Sequence, residues 1–356
     1  MSGGEDGDII DPRPGEALDT ARLEPFLRAS LPATDGPFAL RQFSRGHANL
    51  TYLASFGVHE YVVRRPPLGP VAPSAHDMRR EHQVLAHLTD VYPLAPRSYL
   101  FCGDASIIGA DFHVMERRQG IVVRGDLPER FQNDPTLARK LCEAIIDALA
   151  ALHKVAPEAA GLGALGKPDG YTRRQIEGWA KRWHAAKDHD IAEVDALIAW
   201  LAARIPEAPA VTLVHNDFKS DNMLLDADDL GRATAVLDWD MCTRGDPLTD
   251  LGSLFNYWPE TGDPPDWRFN LSMPSWRPGS LTRAEAAERY ARATGFALDD
   301  IAWHHAFGCF KFLVIIQQIW IRYLRGQTND PRFADFGQRV AATAEKGRVL
   351  MDRNGV

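Results

Sequence analysis

The sequence predicts an α+β protein of two lobes, in which an N-terminal antiparallel sheet with one helix precedes a larger, mainly helical lobe that carries a β-hairpin. Three observations predict this class. Short apolar runs bounded by turn residues fill the first third of the 356 residues. Apolar residues at helical spacing fill most of the remainder. The chain is also long enough to form two cores.

The composition is that of an ordinary globular protein, with 45% hydrophobic and 25% charged residues. The formal net charge of −8 argues against a nucleic-acid partner, because binding phosphates needs clustered Lys and Arg. The four cysteines stand singly, so neither a zinc site nor a disulfide framework is indicated, and a reducing cytoplasm is the expected location. The most apolar stretch, 310–321, is interrupted by Lys311, so no membrane partner is predicted.

Residues 1–30 are predicted to be a mobile acidic tail and lead-in, because the opening segment is rich in Gly, Pro and acidic residues. The N-terminal lobe then spans 31–117. Its helix is expected at 74–89, where Ser74 and Asp77 have the spacing of a capping box. The five strands of this lobe are predicted at 38–44, 50–56, 60–65, 97–102 and 112–117.

The C-terminal lobe, 118–356, is predicted to consist mainly of helices. Asp134-Pro135 is typical of a helix start, and leucine and isoleucine then recur every three or four residues through His153. Thr282 and Glu285 form a second capping box. The helix that begins at this box is expected to end near Gly295. A long apolar helix is expected from 299 or 300 to about 326, and a last helix is expected to begin near Asp330.

Two polar-ended apolar segments are the most informative part of the chain. They are LVHNDFKSDNMLLD at 213–226 and AVLDWD at 235–240, and a turn between them predicts a β-hairpin. The hairpin would bring Asn222 and Asp238 together, and amide and carboxylate oxygens are suitable ligands for Mg²⁺. Asp217 lies five residues before Asn222, which is the spacing of a kinase catalytic loop.

These motifs, followed by GDPLTDL, resemble the aminoglycoside phosphotransferase/choline kinase-like family, and in particular its branch fused to acyl-CoA dehydrogenases. The resemblance implies a protein-kinase-like fold and transfer of the γ-phosphoryl group of ATP to a hydroxyl of a small molecule, with Mg²⁺ and with GTP not excluded. It implies Asp217 as the catalytic base, Lys219 as a compensating charge, and Asn222 and Asp238 as the metal ligands.

The resemblance also implies nucleotide-binding residues in the N-terminal lobe. The loop 44–49 would cover the phosphates, with Gly46 allowing close approach and Asn49 donating from its amide. Arg64 stands where kinases carry a lysine for the α- and β-phosphates, although its planar fork is not equivalent to an ammonium. Glu81 would pair with Arg64, unless it lies on a solvated helix face.

Several other positions have a structural alternative. Glu116 and Arg117 are expected at the hinge, where the backbone would bind adenine. Asp240 would either assist a second metal ion or be structural. His215 is expected to support the catalytic loop, because a buried structural histidine is commoner than a proton donor. Asp250 is expected to fix backbone geometry through hydrogen bonds.

The segment 171–189 places Trp179 and Trp183 on one helical stripe with basic residues nearby, including Arg182. This pattern is either a core stripe with a solvated face or a wall of the acceptor site. On the second reading the acceptor is anionic and partly apolar, with a hydroxyacyl-CoA as the first candidate. The alternatives are an aminoglycoside kinase and a nucleotide-binding pseudokinase module. A protein kinase is disfavoured, because no A-P-E-type segment follows Asp238.

Overall fold

The computed structural model describes residues 9–44, 49–68, 77–268 and 273–354. The chain forms two compact units. The first unit comprises 1–122, 158–163 and 222–242, and the second comprises 123–157, 164–221 and 243–356. Each predicted lobe, 31–117 and 118–356, is one continuous stretch, whereas each unit combines three stretches of the chain. The lobe limits stay predictions.

The described residues form strands and helices in the following order. The strands are β1 (Ile9–Ile10), β2 (Phe38–Phe43), β3 (Leu50–Phe56), β4 (His59–Arg65), β5 (Ser98–Cys102), β6 (Phe112–Glu116), β7 (Thr212–Val214), β8 (Met223–Leu225), β9 (Ala233–Val236) and β10 (Thr243–Gly245). The helices are α1 (Thr20–Ser30), α2 (Met78–Leu88), α3 (Ala105–Ile108), α4 (Leu137–His153), α5 (Tyr171–Ala186), α6 (Ala192–Ala203), α7 (Leu248–Leu254), α8 (Arg283–Thr294), α9 (Ile301–Leu324) and α10 (Phe336–Asn354).

The first unit is built on a six-stranded sheet with the order β1-β2-β3-β4-β6-β5, in which each paired strand is antiparallel to its neighbour. The five predicted strands are all present, within one residue of their expected ends. Tyr52, Phe56 and Phe112 form part of the core on this sheet, together with Leu23 and Leu27 of α1. The sheet fixes β4, and therefore Arg64, from both sides.

Within the described part of 1–30, where a tail and lead-in are predicted, the chain forms one strand and one helix. Ile9 and Ile10 pair with β2, and the backbone N–H of Arg13 donates to the Gln42 side chain at 2.8 Å. Helix α1 is capped by Asp19 and buries Leu23 and Leu27. Two apolar leucines one turn apart therefore outweigh the acidic, Gly- and Pro-rich character of the preceding residues.

The start of α2 also differs from the predicted capping box. Asp77 is itself the N-cap, because its side chain accepts a hydrogen bond from the N–H of Arg80. Ser74 lies outside the described residues. The later start leaves Glu81 in the first turn of the helix, where it is completely buried.

The predicted hairpin is formed by β8 and β9, with Met223 opposite Val236 and a register irregularity between Leu224 and Leu225. It belongs to the first unit, because the N–H of Val236 donates to the Leu94 carbonyl and Ile121 bridges to Leu225. The strand pairing brings the two ends of the hairpin that carry Asn222 and Asp238 next to each other.

The second unit is mainly helical, with a two-stranded antiparallel pair of β7 and β10. Its core gathers residues of α5, α6, α9 and α10. The Thr282–Glu285 capping box and the Gly295 stop of α8 are confirmed. Two helix starts differ, because Asp134 caps a turn before α4 begins at Leu137, and a short turn at Pro331–Phe333 precedes α10.

Helix α9 contains the apolar stretch singled out in the sequence. Among the described residues it alone is long and apolar enough to cross a membrane, judged by length and composition. Half of its most apolar window is nevertheless buried inside the protein, and it packs against α7 and α10. This is the packing expected of a core helix.

Candidate active site

Arg64 and two carboxylates form a cluster in the first unit, in which Arg64 and Glu81 are buried and Asp238 is partly exposed. The guanidinium pairs with Glu81 from α2 and with Asp238, whose Oδ1 lies 2.5 Å from Arg64 Nη2. Burial alone lowers the pKa of Arg64, but Asp238 and Glu81 outweigh it and raise that pKa. The predicted Arg64–Glu81 pair is therefore present, and the alternative of a solvated Glu81 is wrong, because its side chain is 0% exposed.

Glu81 has a second buried neighbour that the sequence did not suggest. His113 of β6 places Nδ1 at 3.8 Å from Glu81 Oε2, while its Nε2 lies 2.9 Å from the Ser98 hydroxyl. The backbone N–H of Trp239 also approaches Glu81 at 3.4 Å. Burial raises the pKa of the Glu81 carboxyl, but Arg64 and then His113 outweigh it and hold that pKa below its ordinary value.

Backbone hydrogen bonds of the hairpin bring Asn222 and Asp238 close together. The N–H of Leu237 donates to the Asn222 carbonyl at 2.8 Å, directly before Asp238. Asp238 then adopts φ +70°, a left-handed conformation that is uncommon for a residue other than glycine. Such conformations cluster at functional sites, where the surrounding structure holds them.

The same end of the hairpin concentrates negative charge. Burial and the neighbouring Asp238 raise the pKa of Asp240 to about 7. The Asn49 amide lies 3.4 Å from Asp240, which places Asn49 beside this carboxylate. Crowded carboxylates of this kind suit a divalent cation, so the residues present fit Mg²⁺. Within the described residues, no three or more His, Cys, Asp or Glu side chains are grouped so that they could hold a metal ion by themselves.

Asp217 and Lys219, the predicted catalytic residues, lie in the second unit. Lys219 Nζ contacts both carboxylate oxygens of Asp217, at 2.8 and 2.7 Å, and lies 5.5 Å from the ring centre of Tyr257. Burial lowers the pKa of the Lys219 ammonium, but Asp217 and Tyr257 outweigh it and raise that pKa above its ordinary value. Lys219 therefore remains charged beside the predicted base.

The backbone before Asp217 is fixed by Asp250 of α7. Its carboxylate accepts from the N–H groups of His215 at 2.6 Å and Asn216 at 2.8 Å, which confirms the hydrogen-bonding role predicted for Asp250. His215 is completely buried, and its Nδ1 accepts from the N–H of Asp217 at 3.2 Å. Burial raises the pKa of Asp250, but the hydrogen bond from His153 and the nearby charges of His153, His215 and Lys311 together outweigh it and lower that pKa.

Sequence reasoning missed two residues that hold this loop. The Tyr171 hydroxyl donates to Asn216 Oδ1 at 2.6 Å, and Lys311 Nζ donates to the Asn216 carbonyl. The sequence does contain a signal for Lys311, because a lysine in the middle of an apolar helix is rarely buried without a partner.

The predicted hinge residues lie at the end of β6. The N–H of Glu116 already donates to the Arg97 carbonyl at 2.8 Å, so that donor is used within the first unit. The guanidinium of Arg117 lies 5.1 Å from the ring centre of Phe43. Adenine contacts at these positions stay a prediction. Gly46 lies outside the described residues.

The predicted acceptor residues of α5 divide into two kinds. Trp183 is 1% exposed and packs in the core of the second unit, which agrees with the core reading of the stripe. Trp179 is 5% exposed and belongs to the same core, and its ring centre lies 4.3 Å from Arg182 and 5.8 Å from Lys311. Arg182 is exposed. We therefore do not carry Trp183 forward as an acceptor contact.

Comparisons with known proteins agree with this arrangement. The model of the phosphotransferase enzyme family matches residues 39–306. Acyl-CoA dehydrogenase family member 11 of Gallus gallus is 32% identical over 352 residues, which are 94% of this chain but 44% of that protein. The chain thus spans less than half the length of this relative.

Solved structures give the same result for the fold. A candidate aminoglycoside phosphotransferase from Ralstonia eutropha superimposes with a TM-score of 0.81 at 29% identity, covering 95% of this chain and 99% of that one. An aminoglycoside phosphotransferase in complex with AMP-PNP and hygromycin B gives a TM-score of 0.57 at 19% identity, covering 91% and 98%. The second likeness concerns the fold alone.

Proposed function

The chain belongs to the phosphotransferase enzyme family, and from this premise we propose that it transfers the γ-phosphoryl group of ATP to a hydroxyl of a small molecule. Its membership confirms the predicted family, protein-kinase-like fold and enzyme class. The observation that carries the proposal is the pairing of two motifs in the folded chain. Asp217 precedes a β-hairpin that sets Asn222 beside Asp238, and Arg64 pairs with Glu81 in the same unit as that hairpin.

The roles follow from the chemistry of each side chain. Asp217 orients the acceptor hydroxyl and accepts its proton as the oxygen attacks phosphorus. Lys219, already paired with Asp217, offers positive charge to the transferring group. Arg64 binds the α- and β-phosphates, and Glu81 holds the guanidinium in place for that contact. Asn49 belongs to the nucleotide side, because it lies beside Asp240.

Asn222 and Asp238 would hold Mg²⁺, with Asp240 as a further carboxylate next to them. When bound, the ion neutralises phosphate charge and orients the phosphates for in-line attack. In the structure Asp238 is paired with Arg64 instead. We therefore propose that Arg64 exchanges its contact with Asp238 for the nucleotide phosphates when nucleotide and metal bind.

For the acceptor we propose an anionic, partly apolar hydroxy compound, with a hydroxyacyl-CoA as the first candidate. The exposed Arg182, which lies 4.3 Å from the ring centre of Trp179, supports positive charge at the acceptor site. The name of the chicken relative supports acyl-CoA metabolism. An aminoglycoside remains the second candidate, supported by the name of the Ralstonia eutropha structure. The cytoplasm is the proposed location, because all four cysteines are buried thiols.

A transfer assay with γ-³²P-labelled ATP and Mg²⁺ tests the acceptor class. Hydroxyacyl-CoAs and kanamycin should be offered separately to the wild type and to Arg182→Ala. We expect label on a hydroxyacyl-CoA, and a higher KM for it in Arg182→Ala with an unchanged KM for ATP. Efficient labelling of kanamycin, with none on any hydroxyacyl-CoA, would replace this acceptor class by the aminoglycosides.

A further inference from the structure

Lys311 is a lysine within an apolar helix. It lies in the middle of α9, the most apolar long helix, and is only 8% exposed. A buried ammonium is costly unless it is paired or hydrogen-bonded. Its Nζ donates to the backbone carbonyl of Asn216, the residue directly before Asp217. The position of Lys311 therefore connects α9 to the catalytic loop.

Asn216 is held at three points. Its N–H donates to Asp250 Oδ1 at 2.8 Å, its side-chain oxygen accepts from Tyr171, and its carbonyl accepts from Lys311. The residue has φ +67°, a left-handed conformation that asparagine adopts more readily than most residues other than glycine. Lys311 supplies the contact on the side that leads into Asp217.

The charges around Lys311 come from three elements. Asp217 and Lys219 face it from the catalytic loop, Asp250 from α7 and Arg182 from α5. Burial lowers the pKa of Lys311, the two carboxylates oppose this change, and the two cations add to it. The ring of Trp179 lies 5.8 Å from Nζ. The net effect lowers the pKa of Lys311, and the hydrogen bond from Nζ to the Asn216 carbonyl fixes its side chain next to the loop.

We propose that Lys311 is a positioning residue for phosphoryl transfer, which acts through Asn216 to hold Asp217 in its reactive orientation. The inference rests on the proposed function, because it assumes Asp217 as the base. Lys311 touches the loop and not the reacting atoms, so its loss should lower the rate of the chemical step. The affinity for ATP should stay, because the residues proposed to bind nucleotide lie in the other unit.

The test compares Lys311→Met with Lys346→Met. Lys346 of α10 is a matched control, because it is a lysine of the same unit, is 6% exposed and has a pKa that burial also lowers. Its Nζ lies 5.6 Å from the ring centre of Trp267. The probe is Mg-ATP with water as acceptor, measured as phosphate release. A misplacement of about 1 Å costs up to about 10²-fold in rate. We expect kcat to fall about 10- to 100-fold in Lys311→Met, with KM for ATP within about twofold, and neither to change in Lys346→Met.

Two further variants separate charge from folding. Lys311→Arg keeps the charge and the donor, whereas Lys311→Gln keeps a donor alone, so Arg should retain more activity than Gln. This pair decides the matter if Lys311→Met does not fold. Amide hydrogen exchange of the peptide 213–219 should be faster in Lys311→Met or Lys311→Gln than in the wild type, and unchanged in Lys346→Met.

The outcomes are distinct. An active wild type with unchanged kcat in the Lys311 variants, equal losses in Lys346→Met, or unchanged exchange of 213–219 would overturn the role of Lys311. A wild type that releases no phosphate from Mg-ATP and labels no acceptor would instead overturn the proposed function.

Discussion

Arg64 contacts two carboxylates at once, and this double contact decides what its removal does. It pairs with Glu81 behind it and with Asp238 at the hairpin. Replacing either partner of a buried pair leaves the other charge uncompensated. Substitutions of Arg64 and Glu81 are therefore not expected to have independent effects on ATP binding.

We predict that Arg64→Ala weakens ATP binding, that Glu81→Ala weakens it less, and that the double variant loses less than the sum. Coupling between residues in contact is typically about 0.5–3 kcal/mol. A double-mutant cycle on the Kd for ATP, measured by titration, checks this. Arg65→Ala is the control, because that guanidinium donates to the Ile108 carbonyl at 2.9 Å instead. Strictly additive losses would show that the pair does not hold the nucleotide.

Asp238 should be required for metal binding in a way that can be measured without turnover. We predict that Asp238→Ala abolishes tight binding of Mn²⁺, used as a probe for Mg²⁺, and that Asn222→Ala weakens it less, because an amide is a weaker ligand than a carboxylate. Electron paramagnetic resonance of free Mn²⁺ gives the affinity. Asp228→Ala, an exposed carboxylate in the turn of the same hairpin, should bind like the wild type. Unchanged affinity in Asp238→Ala would remove it from the metal site.

Whether the sequence predicts a contact of this site depends on how far apart the two partners lie along the chain. The sequence predicts the hairpin that sets Asn222 beside Asp238, because a short local pattern forms it. The roles of Asp217, Asn222 and Asp238 stay predictions. Lys311 is not found, because its partner lies 95 residues earlier and the contact exists only once α9 has packed on the loop. His113 is missed for the same reason, since β6 meets Glu81 of α2 only in the folded unit.

Elements are predicted best where a local signal fixes them. Helix α8 has both a capping box and a terminal glycine, and its limits are predicted correctly. Helix α1 is missed, because Pro25 lies inside it and lowers its helix propensity. The three-residue strands β7 and β10 pair across about thirty residues of chain, and such pairing leaves no local pattern.

The contact between α7 and α9 depends on two glycines. A Cβ on Gly252 would overlap the backbone carbonyl of His304, and a Cβ on Gly308 would overlap the carbonyl of Gly252. Backbone atoms cannot move aside as a flexible side chain does, so the two helices would have to separate. Their separation would also shift Asp250 in α7, which holds the catalytic loop.

We predict that Gly252→Ala lowers the free energy of unfolding by about 1–3 kcal/mol or more, as overpacking does. Gly178→Ala in α5 is the control, since nothing lies within 4 Å of the added Cβ. There the change should stabilise by about 0.5–1 kcal/mol, because alanine favours a helix interior. Urea unfolding measures both variants. A Gly252→Ala protein as stable as the wild type would mean that the helices are not in close contact.

At the scale of the whole molecule, stability should depend on pH in a definite window. His305 is buried, and among the described residues its Nε2 has no hydrogen-bond partner. Burial, followed by Lys346, Arg283 and Arg353, holds the pKa of His305 well below its ordinary value. A histidine with a lowered pKa in the folded state stabilises the fold above its unfolded pKa of about 6.5, and this contribution is lost as the pH falls.

We predict that the free energy of unfolding falls from pH 7 to pH 5, by at most about 1.4 kcal/mol per pH unit for this group. His305→Gln should make the slope shallower. Burial also lowers the pKa of His82, so part of the slope should remain in the variant. The pKa values of Glu81 and Asp250 are lowered, so their contribution is lost mainly below this window. Asp240 has a pKa raised to about 7, so it takes up a proton in the folded protein as the pH falls and acts against the slope. The difference in slope between the wild type and His305→Gln therefore carries the test. An identical slope in His305→Gln, measured by urea unfolding at each pH, would contradict the assignment.

Activity of the whole chain distinguishes an enzyme from a nucleotide-binding module. The chain spans less than half of the chicken relative, so its activity has to be measured on this chain itself. A pseudokinase would bind ATP through Arg64 and the hairpin without transferring phosphate. An enzyme needs Asp217 in addition, and only that residue separates the two.

Phosphoryl transfer by Asp217→Asn is therefore the most direct measurement. The substitution keeps the shape of the side chain and removes its ability to accept a proton. With γ-³²P-labelled ATP, Mg²⁺ and the acceptor that the wild type labels, we predict a fall in kcat of about 10²–10⁴-fold with an unchanged Kd for ATP. Near-wild-type transfer by Asp217→Asn, or ATP binding by the wild type without transfer to any hydroxyl, would contradict a phosphotransferase that uses Asp217 as its base.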